Sequence, residues 1–182
     1  MRIAPLILGA VLAGPAITPG LAAQAEARRV EVPAIPARAE DVGSLDGIVK
    51  AFYEVISGPA GQPRQWSRDR TLYIPDVRFI SMDIRDGKPH ASIMDHQQFV
   101  DRSDAGLVKN GFFEEEIHRT TRRFGNAAHV WSTYAMKDGA GKPIGRGVNS
   151  IQLFWDGNRW WISGVAWDDE RPDNPIPAEL LD

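Results

Sequence analysis

From Leu45 to Ile56 the apolar side chains fall at Leu45, Ile48, Val49, Phe52, Val55 and Ile56, the three-and-four spacing of a single helix face. Ser44 stands where a cap is needed and Gly58-Pro59 ends the run. A second, shorter helix is predicted over Gln62 to Tyr73, with Trp66 as its large anchor and Pro75 bounding it. The period then drops to two. Val77, Phe79 and Ser81 alternate with Arg78, Ile80 and Met82 in a strand over Val77 to Ile84, closed by the turn signal Asp86-Gly87. Asp95 with Gln98 three residues on is a capping-box variant opening a helix that carries Phe99, Val100, Leu107 and Val108. Everything beyond predicts sheet. Strands over Phe112–Phe124 and Ala127–Lys137 meet across Gly125-Asn126, Gly139 to Pro143 turns the chain, and Gly145–Trp155 and Trp160–Asp168 flank Asp156-Gly157-Asn158-Arg159.

Helices first and a long meander last predict an α+β fold: a cone-shaped roll of curved antiparallel sheet packed on about three N-terminal helices, with a pocket in its mouth. Upstream, Arg2 precedes an apolar run from Ile3 to Leu21, and Ala23-Gln24-Ala25 follows, the order of a secretory signal peptide. Pro15, Pro19 and Gly20 interrupt this run, which disfavours a membrane anchor. The division expected is 1–25 signal peptide, 26–41 flexible spacer, 42–170 folded domain and 171–182 extended tail. Export to the periplasm or the medium follows, with no membrane association after cleavage. Pro172, Pro175 and Pro177 keep the tail extended and able to lie over a neighbouring surface.

Charge and composition narrow the chemistry. With 21 Lys and Arg against 24 Asp and Glu, interspersed, no basic stripe awaits nucleic acid. The absence of cysteine excludes disulfides, a thiol nucleophile and a thiolate metal site. Neither Gly139-Ala140-Gly141-Lys142 nor Gly145-Arg146-Gly147 leads from a strand into a helix, so no phosphate loop or dinucleotide fingerprint is present, and no cofactor is expected. His118 and His129 share a strand face but stand about 13 Å apart, too far to meet on one metal ion, and no metal site is expected.

The motifs Ile48-Val49-Lys50-Ala51-Phe52-Tyr53, Tyr73-Ile74-Pro75-Asp76-Val77-Arg78-Phe79, Phe124-Gly125-Asn126-Ala127-Ala128-His129-Val130 and Trp155-Asp156-Gly157-Asn158-Arg159-Trp160-Trp161-Ile162, in this order and spacing, resemble the SnoaL-like branch of the nuclear-transport-factor-2-like superfamily. The resemblance covers about Val42 to Asp168 and implies the cone. It includes ketosteroid isomerases, polyketide cyclases, dehydratases and pocket proteins without known chemistry. In the isomerases a helix-one tyrosine donates to the substrate oxygen and a first-strand aspartate moves the proton. Those positions fall on Phe52 and Ser81 here, with Tyr53 and Asp83 displaced by one and two residues.

Uninterrupted alternation from the Gly125-Asn126 turn sets Glu115 opposite Met136, Ile117 opposite Tyr134 and Arg119 opposite Ser132 on one, more apolar face, which is assigned inward. Glu114 then faces outward, opposite Lys137. A carboxylate and a guanidinium on an inward face need a partner or a use, so Glu115 and Arg119 are the leading site residues. In the functional reading Glu115 is a base or acceptor, Arg119 clamps an anionic or carbonyl oxygen, and Tyr134 donates between them; the alternative is a structural ion pair at the rim. In the last hairpin Asn149, Ile151, Leu153, Ile162, Gly164 and Ala166 form the core face, where Asn149 either meets a ligand or is a satisfied buried amide. Tyr53, Trp66 and Phe99 close the apolar end of the pocket or are plain core. Phe154, Trp161 and Trp167 on the other face suggest a homodimer through the outer sheet, the rival being that these aromatics line the pocket.

The expected function is an exported SnoaL-like pocket protein binding a small, largely apolar molecule. The alternatives are a cofactor-free lyase or isomerase moving a proton next to a carbonyl, and a dimeric interaction module.

Overall fold

The computed structural model describes residues 29–182, and the expected signal peptide lies outside them. Six strands form one sheet: β1 (Tyr73–Arg85), β2 (Lys88–Met94), β3 (Phe112–Phe124), β4 (Ala127–Asp138), β5 (Pro143–Trp155) and β6 (Trp160–Asp169). Their order is β2-β1-β6-β5-β4-β3; β1 and β6 run parallel and every other pair antiparallel. Helices α1 (Ala39–Val42), α2 (Leu45–Ile56), α3 (Trp66–Arg70) and α4 (His96–Asn110) complete the domain. The fold is α+β, a curved sheet on N-terminal helices, as the pattern predicts.

Capping chemistry sets the helix ends. Ser44 Oγ accepts from the Gly47 amide at the start of α2, and Asp95 and Gln98 close a reciprocal capping box on α4. The second helix is shorter than its pattern. Leu72 is fully buried and its carbonyl accepts from Ile162 N at 3.0 Å, so sheet pairing takes the chain from Tyr73 onward. Strand β2 was not legible because of its seven residues only Met94 is buried, leaving no apolar alternation to read.

The stretch expected to be a spacer is laid on the domain from Val30. The Val30 amide donates to Asp101 Oδ1 at 2.7 Å, and Val30, Val32 and Ala37 pack against the core. Asp41 is buried and accepts two bonds from Arg68, at 2.6 and 2.8 Å; Arg68 also reaches Glu54 at 2.8 Å. Three segments distant in sequence thus share one guanidinium.

The register shifts in four places along the sheet, and two of these bulges turn the faces of β3 and β6. Ile117 has no partner between the pairs Glu116–Tyr134 and His118–Thr133. Ser163 likewise stands between Gln152–Gly164 and Leu153–Ile162. Each extra residue reverses which face the following side chains present and increases the local twist. At the other end, the tail folds over the outer face: Thr133 Oγ1 donates to Leu180 O at 2.6 Å, and Ile176, Pro177 and Leu180 lie against Trp131, Val148 and Ala166. A 3-10 turn over Ala178–Leu180 replaces the fully extended course expected there.

Candidate functional site

Between α2, α4 and the inner face of the sheet lies a cavity of about 200 Å³. That exceeds the roughly 150 Å³ void that accommodates benzene in an engineered protein. Its walls are mostly rings: Phe52 from α2, Phe99 from α4, and Tyr73, Phe79, Phe112, Tyr134 and Trp167 from the sheet. Phe79 and Phe99 stack at 4.6 Å, and Phe99 meets Trp167 edge-on at 6.1 Å. These contacts hold the apolar wall in place.

The polar end consists of Glu114, Asn149, Tyr134 and Asp169. The bulges bring two of the four inward. Because Ile117 is looped out, Glu114 pairs with Met136 and shares its inward face, while Glu115 pairs with Ala135 and turns away. Because Ser163 is looped out, Trp167 pairs with Asn149 and Asp169 with Gly147, both facing the cavity.

The Tyr134 hydroxyl donates to Asp169 Oδ1 at 2.5 Å. Asn149 Nδ2 donates to Tyr53 Oη at 3.1 Å and approaches Glu114 Oε1 at 3.5 Å. The Tyr53 hydroxyl in turn meets Ser132 Oγ at 2.6 Å, and Ser132 donates to Glu116 Oε1. Since the Ser132 proton goes to that carboxylate, the Tyr53 proton points to Ser132. Arg119 closes the chain with 2.6 Å contacts to Glu116 Oε2 and Asp46 Oδ1 at the surface.

Burial among apolar side chains pushes the Glu114 carboxyl from 4.5 up to about 8, with Asp169 adding like-charge repulsion and the Asn149 amide pulling the other way. At neutral pH this acid is largely protonated. Burial, more than neighbouring carboxylates, likewise raises the Tyr53 and Tyr134 hydroxyls, so both stay un-ionised.

Several expected site residues stand elsewhere. Glu115 is exposed and pairs with Lys137 at 2.5 Å, the surface role expected of Glu114. Arg119 lies outside the cavity, held by Glu116 and Asp46 rather than by Glu115. Tyr134, Asn149 and Phe99 do line the cavity. Tyr53 stands behind Asn149, and Trp66 supports Phe99 edge-on at 6.1 Å while its indole donates to Asp104 at 2.6 Å. Trp167, placed on the outer face by uninterrupted alternation, is inside; the rival reading holds for this one aromatic. Trp161 remains outside beneath Arg159, 3.7 Å from its ring centroid, and the tail covers part of the face where a second copy was expected. Phe52 occupies the cavity wall where the isomerase resemblance puts a tyrosine.

No family model matches the chain, and no curated protein matches it in sequence. Solved structures do. A protein of unknown function from Nostoc punctiforme, described as having a cystatin-like fold, superposes with a TM-score of 0.55 at 7% identity, over 70% of this chain and 90% of its own. This chain shares that cystatin-like fold. Also of similar shape, a protein from Novosphingobium aromaticivorans is provisionally described as the β subunit of an aromatic-ring-hydroxylating dioxygenase; it matches at a TM-score of 0.55 and 12% identity, over 76% of this chain and 94% of its own. An NTF2-like protein of unknown function from Shewanella baltica matches at 0.46 and 14%, over 68% and 89%. At these identities the likeness is one of fold, and the chemistry rests on the cavity.

Proposed function

We propose that this NTF2-like domain binds a small, largely apolar molecule whose one polar end meets Glu114. The observation that carries the proposal is a carboxyl group set into an aromatic-walled cavity, with burial raising its pKa to about 8. A group so costly to bury, at the one polar end of an apolar enclosure, is the usual signature of a recognition point. Native mass spectrometry and thermal-shift screening with compact aromatic compounds test it. Wild type should retain or take up such a molecule, and Ser103→Trp, which fills the cavity from α4, should not.

Proton transfer next to a carbonyl is the second reading, favoured by the same pKa, since a base near neutrality is well matched to that task. Donors for the developing oxyanion are scarce, because the Tyr134 and Tyr53 protons are already committed to Asp169 and Ser132. Binding is therefore the stronger reading. Glu114→Gln separates them, abolishing turnover in the enzyme and changing only affinity in the binder. Export belongs to the proposal and rests on residues 1–25; the intact mass of protein recovered from an exporting host tests for cleavage after Ala23 or Ala25.

A further inference from the structure

We propose that the polar end recognised by the cavity is a small protonated amine, carried on a compact aromatic or aliphatic body. The proposal rests on the binding reading above and specifies its ligand class.

The charge around the cavity is one-sided. Its lining includes Glu114 and Asp169, and neither lysine, arginine nor histidine. A wider depression adjoins it through Ser103, Leu107 and Phe112; this adds Asp138 and again no basic side chain. Lys50 and Arg119 share a separate surface depression with Glu114 outside the cavity, and the cations of this region are engaged: Lys50 by Glu54, Arg119 by Glu116 and Asp46, Lys137 by Glu115, Arg146 by Glu170. An anion entering the cavity would meet two carboxyl groups and no counter-ion among its lining residues.

What the polar end offers is mainly acceptance. The Tyr134 proton is directed to Asp169 and the Tyr53 proton to Ser132, while the Asn149 amide protons face Tyr53 and Glu114. A carbonyl ligand would find few free donors, the Ser103 hydroxyl and, while it keeps its proton, the Glu114 carboxyl. An ammonium group brings three donors and a charge, matching a carboxylate directly. The seven rings of the wall add attraction, since their faces carry negative potential that favours a cation within about 6 Å. A bound ammonium also offsets the cost of ionising Glu114, so the partly buried acid finds in it the counter-ion that the cavity lining does not supply.

Three probes of nearly one shape test this: benzylamine, benzyl alcohol and benzoate, titrated calorimetrically into the full-length mature protein at pH 8. Benzylamine should bind at least tenfold more tightly than benzyl alcohol, and benzoate should not bind. In Glu114→Gln the benzylamine advantage over benzyl alcohol should shrink to threefold or less, and Ser103→Trp should abolish all binding. Benzyl alcohol or benzoate equalling benzylamine overturns the amine proposal while leaving the pocket standing. Failure of all three at millimolar concentration overturns the pocket reading with it.

Discussion

The Tyr134 hydroxyl reaches Asp169 across Gly147, the residue between them in the sheet: Tyr134 pairs with Gly147, and Gly147 with Asp169. A Cβ at position 147 would stand 2.2 Å from the Tyr134 hydroxyl oxygen and 2.6 Å from the Asp168 carbonyl. Gly147→Ala should therefore push the ring off its partner and destabilise the domain by about 1–3 kcal/mol, the usual cost of overpacking. Urea denaturation measures it, and an unchanged midpoint would show that the ring yields freely.

Glu114 should make stability fall with pH. Its folded pKa of about 8 exceeds the ordinary 4.5, so the folded state keeps a proton that the unfolded state has lost. The groups facing it are Asp169 from β6, Asn149 from β5 and Tyr134 from β4, with no cation among the residues lining the cavity. Stability is complete below about pH 4.5, falls between about 4.5 and 8, and levels off above, losing about 1.4 kcal/mol per pKa unit. Glu114→Gln should remove this slope and be the more stable protein at pH 8. Denaturant midpoints of both proteins from pH 4 to 9 check the sign.

Asp41→Ala should cost about 3 kcal/mol, since it leaves the largely buried Arg68 guanidinium with Glu54 as its one carboxylate and Gln65 as a neutral acceptor. The loss would show that residues upstream of Val42 are part of the folding unit. A change under 0.5 kcal/mol by chemical denaturation would return this segment to the status of a spacer.

Removing residues 175–182 should destabilise the domain by about 1–3 kcal/mol. Thr133, fully buried, loses its acceptor on Leu180, and apolar area on Trp131 and Val148 returns to water. Denaturation of the truncated protein gives the magnitude, and sedimentation shows whether the uncovered face then self-associates.

Helix α2, the capping box of α4 and the four long hairpin strands were legible because each is specified by residues close in sequence: periodic apolar positions, Ser44, Asp95 with Gln98, and the turns at Gly125-Asn126 and Asp156-Gly157. Tyr134, Asn149 and Phe99 were legible as cavity residues for the same reason, standing where alternation runs unbroken from a turn or where helical spacing holds. What the sequence by itself determined is thus these elements, their order and the cone they imply, but not β2, whose side chains are mostly exposed. Only the tertiary structure decided which carboxylates enter it. One unpaired residue at Ile117 and another at Ser163 exchange Glu115 for Glu114 and bring Trp167 and Asp169 inward. A bulge carries no fixed residue signature; it forms where a strand must bend to follow the curve of the whole sheet. That bend belongs to six strands together, and no window of one strand contains it.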